Sequence, residues 1–103
     1  MPSIAGSDIK HVVIACEAGM GSSVLLTTQL AAKLKPHGVQ VTHSPVNRLT
    51  DESADVVMCH QGLLNRARQS APGTVVMPFQ LFMGDPAFGV LEAAIRDGGT
   101  IDG

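Results

Sequence analysis

Apolar and polar positions follow two rhythms along the chain. His11-Val12-Val13-Ile14-Ala15 is a nearly continuous apolar run, the pattern of a strand covered on both faces. From about Ser22 the rhythm changes. Leu26, Leu30 and Leu34 recur at helical spacing and predict one buried helix face, ended by Pro36 and Gly38. Val39-Gln40-Val41-Thr42-His43 alternates, as a strand at a sheet edge does. A polar connection runs from Ser44 to about Ala54, and Val56-Val57-Met58 predicts a second buried strand. Leu63, Leu64 and Ala67 share one face of a short helix closed by Ala71-Pro72-Gly73. Thr74-Val75-Val76-Met77 predicts a last strand, stopped by Pro78. Asp85-Pro86 reads as an N-cap followed by an N1 proline. Phe88, Leu91 and Ile95 then line a final helix that ends at Gly98-Gly99.

The order is β-α-β-β-α-β-α, or strictly alternating if 44–54 or 79–84 holds a short helix. This is an α/β pattern. Right-handed crossovers give a four-stranded parallel sheet flanked by helices on both faces, a Rossmann-like arrangement. The alternating second strand belongs at an edge beside the first, so the expected strand order is 2-1-3-4. The fourth strand has a buried rather than alternating pattern, which fits its edge position less well. In such sheets ligands sit at the carboxyl ends of the strands where the order reverses, here between strands one and three. Residues 1–9 and 98–103 read as tails or linkers around a domain at 10–97, and a longer parent chain is open.

Composition narrows the function. The 103 residues suffice for one domain, and at 45% hydrophobic the chain is too apolar for disorder. Seven Lys and Arg against nine Asp and Glu, with 3% aromatics, provide neither the basic stripe nor the stacking platform that nucleic acid requires. No apolar run approaches the ~20 residues of a membrane span. The first residues lack the charged and apolar regions of a secretory signal. Two cysteines cannot build a disulfide scaffold, so free thiols in a reducing compartment are expected, placing the domain in the cytoplasm.

The candidate chemistry lies at the expected switch point. Cys16 directly follows strand one, and Glu17-Ala18-Gly19-Met20-Gly21-Ser22-Ser23 leads into the first helix. Glycines let successive backbone N–H groups turn inward, and a helix N-terminus adds about half a positive charge, so this loop is an anion cradle. A thiolate at its lip is stabilised by the same dipoles and becomes a nucleophile. A phosphoryl group, with three oxygens and up to two negative charges, suits such a loop. The opposing reading is a small buried cysteine beside a tight turn.

Other phosphate loops do not fit. A nucleotide P-loop needs Gly-Lys-Ser/Thr, and no lysine is present. A dinucleotide fingerprint needs a small residue where Val24 stands and an acid after strand two, where His43-Ser44 stand. A tyrosine-phosphatase loop has Cys, five residues, Arg, then Ser or Thr. Here Ser22 occupies the Arg position and Ser23 keeps the hydroxyl. Without the bidentate Arg clamp, and with Glu17 adding negative charge, hydrolysis should be slow. A thiophosphate would persist long enough to be passed on.

On these residues the chain resembles the enzyme IIB domains of the sugar phosphotransferase system, of mannitol type. The resemblance rests on Val12-Val13-Ile14-Ala15, on Cys16 through Ser23, on Asp55-Val56-Val57-Met58-Cys59-His60 and on Leu64-Asn65-Arg66-Ala67, and spans most of 10–97. Asp85-Pro86-Ala87-Phe88-Gly89 is more similar to ascorbate-type IIB domains, which leaves the sugar open. The family implies a fold like that of low-molecular-weight tyrosine phosphatases and a phosphotransferase activity. It implies that a IIA phosphohistidine phosphorylates Cys16, and that Cys16 passes the group to a sugar, polyol or ascorbate held by a membrane IIC component. The domain would then work at the inner face of the membrane. The loop donors become the backbone N–H groups of Ala18 through Ser23 and the hydroxyls of Ser22 and Ser23. Glu17 stands where the mannitol-type loop has Asp. No cofactor, metal or nucleic acid is implied.

The remaining residues carry competing readings. His60 either tunes the Cys16 thiolate or contacts the phosphoryl group, or is a partly exposed loop residue. Cys59 is expected to pack rather than react, although a Cys16–Cys59 disulfide under oxidation is conceivable. Cys16, Cys59 and His60 lack zinc-ligand spacing. Met20 suits a partner contact or packing onto the first helix. Asp85 is an N-cap, or the general acid of a small phosphatase or arsenate-reductase-like enzyme, the alternative function. Arg48, Arg66 and Arg68 could meet an acidic partner but fit a solvated surface. His11, His37 and His43 form no constellation.

Overall fold

β-Branched side chains, stiff at χ1, suit a pleated surface, and they fill the centre of the molecule. The computed structural model describes residues 3–16, 21–50, 54–81 and 85–102, the side chains of 21–23 excepted. The strands are β1 (Ser3–Ala5), β2 (His11–Cys16), β3 (Gln40–Pro45), β4 (Val56–His60), β5 (Val75–Phe79) and β6 (Thr100–Asp102). The helices are α1 (Gly21–Leu34), α2 (Leu64–Ser70) and α3 (Pro86–Asp97).

Four strands form one parallel sheet in the order β3-β2-β4-β5, the order expected from the sequence. Val12 pairs with Val41 on one side and Val56 on the other, and Val56 pairs with Val75. Side chains alternate between faces along each strand, and two cores result. Val12, Ile14, Met58, Met77 and Phe79 pack with Leu26, Leu30 and Leu34 of α1 and with Phe88 and Leu91 of α3. Val13, Ala15, Val57, Cys59 and Val76 face the other way, against Leu63, Ala67 and Ala71 around α2. Helices thus cover both faces.

Three features either differ from the sequence reading or decide an alternative it left open. First, β5 runs through Pro78 to Phe79. It has one neighbour, β4, and an edge strand tolerates a missing N–H. Its buried pattern is also explained: an edge in hydrogen bonding is still a middle layer when helices cover both faces. Second, the 44–54 connection holds a 3-10 turn, Val46–Arg48, whose Val46 and the following Leu49 are buried in the α2-side core. In the 79–84 connection, residues 82–84 lie outside the described residues.

Third, the segments that read as tails are paired. β1 and β6 form an antiparallel ribbon with Ile4 opposite Ile101. Gly6 N–H donates to the Gly99 carbonyl at 2.6 Å. Gly6 lies so close to the Ala94 carbonyl that a Cβ there would collide with it. Strands of three residues carry no readable period, which is why the sequence does not announce them.

The helix ends follow the sequence. Asp85 caps α3, Pro86 sits in its first turn, and Gly98 closes it at φ 77° with its N–H on the Ala94 carbonyl. Gly38 terminates the turn after α1 in the same left-handed conformation, φ 73°.

Candidate functional site at the carboxyl ends of β2 and β4

β2 is an inner strand because its apolar run can be covered on both sides. Its last residue, Cys16, therefore emerges at the middle of the sheet edge. Cys16 pairs with Pro45 of β3 and is 7% exposed. Its thiol donates to the Ser44 carbonyl at 3.6 Å. Four residues intervene before α1 begins at Gly21. Those four, Glu17, Ala18, Gly19 and Met20, lie outside the described residues. Gly21, Ser22 and Ser23 form the first turn of α1. The thiol and the amino end of a 14-residue helix thus share the point where the strand order reverses, and that helix end favours an anion.

β4 brings two further residues to this edge. Ala15 pairs with Cys59, and both lie in the α2-side core. Cys16 and His60 each come one residue later and so emerge on the other face, the face of Ile14, Met58 and Phe79. Cys59 is fully buried, and burial pushes its thiol up to about 11, with Arg68 opposing weakly. It packs, as the sequence suggests. Because the two sulfurs leave on opposite faces, a Cys16–Cys59 disulfide would need a strand to turn over. The same geometry separates the three residues weighed as zinc ligands. Among the described residues no group of three His, Cys, Asp or Glu could hold a metal ion.

His60 is held by a hydrogen bond and by a ring contact. Its Nδ1 accepts the Gly62 N–H at 3.1 Å, capping the 3-10 turn Gln61–Leu63. Its ring meets Phe79 edge-on, with centroids 6.2 Å apart. Phe79 is tilted against Phe88 of α3 at 5.2 Å. An Nδ1 that accepts a hydrogen bond places the proton of the neutral ring on Nε2. Beside this aromatic row is a cleft of about 290 Å³ lined by Gln61, Pro78, Phe79, Gln80, Asp85 and Pro86. Neither the turn at Gly62 nor the Phe79 support is visible as a motif. A count of strand parity from Cys16 would have found the face they share.

Asp85 is saturated by backbone donors. Oδ1 accepts the Ala87 N–H at 2.8 Å, and Oδ2 accepts those of Gln80 at 2.8 Å and Leu81 at 3.1 Å. The Ala87 bond first, then those from Gln80 and Leu81, hold the carboxyl below its ordinary value. A group held ionised in this way cannot deliver a proton near neutral pH. The N-cap reading therefore accounts for Asp85.

The other singled-out residues are elsewhere. Arg48, Arg66 and Arg68 are exposed, on the turn after β3 and on α2. His11 begins β2, at the far end of the strand from Cys16, and its Nε2 lies 2.8 Å from Thr42 Oγ1. His37 ends the turn after α1. His43 is exposed on β3 and pairs with Ile14. No helix among the described residues is long and apolar enough to cross a membrane.

Comparison with known proteins agrees with this geometry. Residues 11–89 match the family model of the phosphotransferase system lactose/cellobiose-specific IIB subunit. The chain is 35% identical over 90 residues to the mannitol-specific EIICB component of Geobacillus stearothermophilus, covering 85% of this chain and 19% of that one. It is 33% identical over 85 residues to the corresponding protein of Staphylococcus saprophyticus, covering 80% and 16%. It is 40% identical over 68 residues to the mannitol-specific EIICBA component of Vibrio cholerae, covering 64% and 10%. The chain thus spans a fifth or less of the length of these relatives. A parallel sheet in the order β3-β2-β4-β5, matched from β2 into α3 by the family model, places this chain in the IIB family of the sugar phosphotransferase system.

Proposed function

We propose that the protein is a phosphocysteine carrier. It accepts a phosphoryl group from the phosphohistidine of a IIA domain and passes it from Cys16 to a sugar or polyol held by a membrane IIC component. The observation that carries this reading is the position of Cys16 at the carboxyl end of an inner strand, four residues ahead of the start of α1. The family match supports it, as do relatives whose names join B to C, and in Vibrio cholerae to A as well. Their mannitol specificity favours a polyol as the final acceptor, with lactose, cellobiose and ascorbate as the competitors to test. The domain would work in the cytoplasm, against the membrane through the IIC component.

The chemistry is two in-line displacements. The Cys16 thiolate attacks phosphorus; the S–P bond forms as the N–P bond breaks, and the electron pair stays on the donor imidazole. A hydroxyl of the acceptor then attacks. The O–P bond forms, the S–P bond breaks, the thiolate returns, and the hydroxyl proton is lost to solvent or a base on the partner. The loop from Glu17 to Ser23 would surround the phosphoryl group in between, the backbone N–H groups of Ala18 through Ser23 and the hydroxyls of Ser22 and Ser23 acting as donors. Slow hydrolysis follows from Ser22 standing where a phosphatase has its Arg.

Incubation with a phosphorylated IIA domain should add one phosphoryl group, read by intact mass, and Cys16→Ser should abolish it. Labelling that persists in the Ser variant overturns the assignment. The phosphatase alternative needs a proton donor, and the saturated, ionised Asp85 argues against that role. Multiple-turnover hydrolysis of an aryl phosphate would favour it nonetheless.

A further inference from the structure

The carrier reading leaves a gap in the electrostatics. A phosphoryl group on Cys16 brings up to two negative charges, and the loop supplies no Arg or Lys to meet them. We infer that His60 fills part of this gap as a positioning residue, its Nε2–H donating to a phosphoryl oxygen on Cys16. The inference rests on the carrier reading and deepens it by assigning a donor outside the loop.

Three observations converge. The first is register. Ala15 pairs with Cys59 on adjacent parallel strands, so Cys16 and His60 leave the sheet at the same level, on the same face, one strand spacing apart (about 4.8 Å). His43, which shares this face, is two residues lower, beside Ile14, and open to solvent on the edge strand. At the level of Cys16, His60 is the ionisable side chain that the described residues of β3 and β4 provide on this face. The second is the tautomer. The Gly62 N–H occupies Nδ1, which leaves Nε2 as the nitrogen that carries the proton. The third is rigidity. The ring is braced edge-on by Phe79, itself braced by Phe88. A Cβ at Gly62 would sit 3.4 Å from Nδ1, in ordinary contact with the ring. A braced donor loses little freedom when it binds an oxyanion.

Two conservative replacements separate this role from simple support of the turn. Asn at position 60 keeps an acceptor for the Gly62 N–H but has no group at the Nε2 position. Gln places an amide N–H near that position but weakens the cap. The equilibrium for phosphoryl exchange with phosphorylated IIA domain would be measured by intact mass on the wild type, His60→Asn and His60→Gln. The 31P resonance of the phosphocysteine would be followed against pH on the same samples. His60→Asn should lower the phosphorylated fraction at equilibrium, about tenfold in the exchange constant. It should also raise the pH at which the 31P signal titrates, because the dianion has lost a donor. His60→Gln should recover much of both. Wild-type behaviour in His60→Asn, or losses confined to His60→Gln, overturns the inference and assigns His60 to the turn alone. A wild type that never acquires the phosphoryl group instead overturns the carrier reading, so the two failures are distinguishable.

Discussion

Cys16 and Cys59 lie at the carboxyl ends of adjacent hydrogen-bonded strands, Cys16 last in β2 and Cys59 next to last in β4, yet leave the sheet on opposite faces. One faces the layer of α1 and α3, the other is sealed beneath α2. Burial pushes the Cys59 thiol up to about 11, so it stays protonated and unreactive near neutral pH. Mild oxidation of the native protein should therefore leave no intramolecular disulfide, and Cys59→Ala should retain full phosphoryl acceptance. A mass loss of two hydrogens in the wild type that disappears in Cys59→Ala would contradict the sidedness.

The same thiol predicts behaviour in alkali. Its folded value, about 11, exceeds the ordinary 9.0, so the native state binds this proton more tightly than the unfolded chain. The contribution is whole below pH 9.0 and drains as pH rises toward about 11. Cys59→Ala should flatten the fall in urea midpoint across that window. A parallel fall in both proteins would assign alkaline loss to other groups.

Asp85 gives the opposite dependence. Its folded value lies below the ordinary 3.8, so its stabilisation is present above that pH and is lost as the pH falls through the lower folded value. Asp85→Ala removes the α3 cap and should cost about 1 kcal/mol at neutral pH. The gap between wild type and variant should narrow below about pH 4. A gap that stays constant down to pH 2 would show that charge plays no part in the cap.

Phe79 links His60 to α3. Phe79→Leu conserves most of the volume and should cost under about 1.5 kcal/mol, while releasing the edge contact that braces the imidazole. The His60 ring protons should shift in the NMR spectrum as the ring current is lost, with the sheet resonances largely unmoved. An unchanged His60 spectrum would refute the brace.

Gly6 tests the ribbon. A methyl group there meets the Ala94 carbonyl and must push the turn after β1 off α3. Gly6→Ala should cost about 1–3 kcal/mol in a urea titration yet leave phosphoryl acceptance at Cys16 unchanged in the folded fraction. Wild-type stability would mean that the close approach relaxes freely.

Much of this architecture is legible in the residues, for identifiable reasons. Val12 to Ala15 can only be an inner strand, and the alternation of Val39 to His43 fits an edge; together they set the strand order. Leu26, Leu30 and Leu34 announce α1, and Asp85-Pro86 announces α3. Pro78 misleads because its rule concerns inner strands. The ribbon is silent because three residues at each end form it, held by the close fit of Gly6 on Ala94 rather than by a pattern. At the candidate site, the sequence marks Cys16 by the glycine-containing stretch that follows it. The pinning of His60 depends on a turn and an aromatic row assembled from three separate segments, and no local motif encodes that.

The ribbon also sets a direction. α3 descends from the Cys16 end of the sheet, and β6 then pairs with β1 beside the start of β2. Ser3 and Asp102, the outermost described residues, pair at the pole opposite the thiol. Any polypeptide continued from either end would depart from that pole as a tether. The Cys16 end of the sheet would face away from such a tether, as a clapper hangs from its far side.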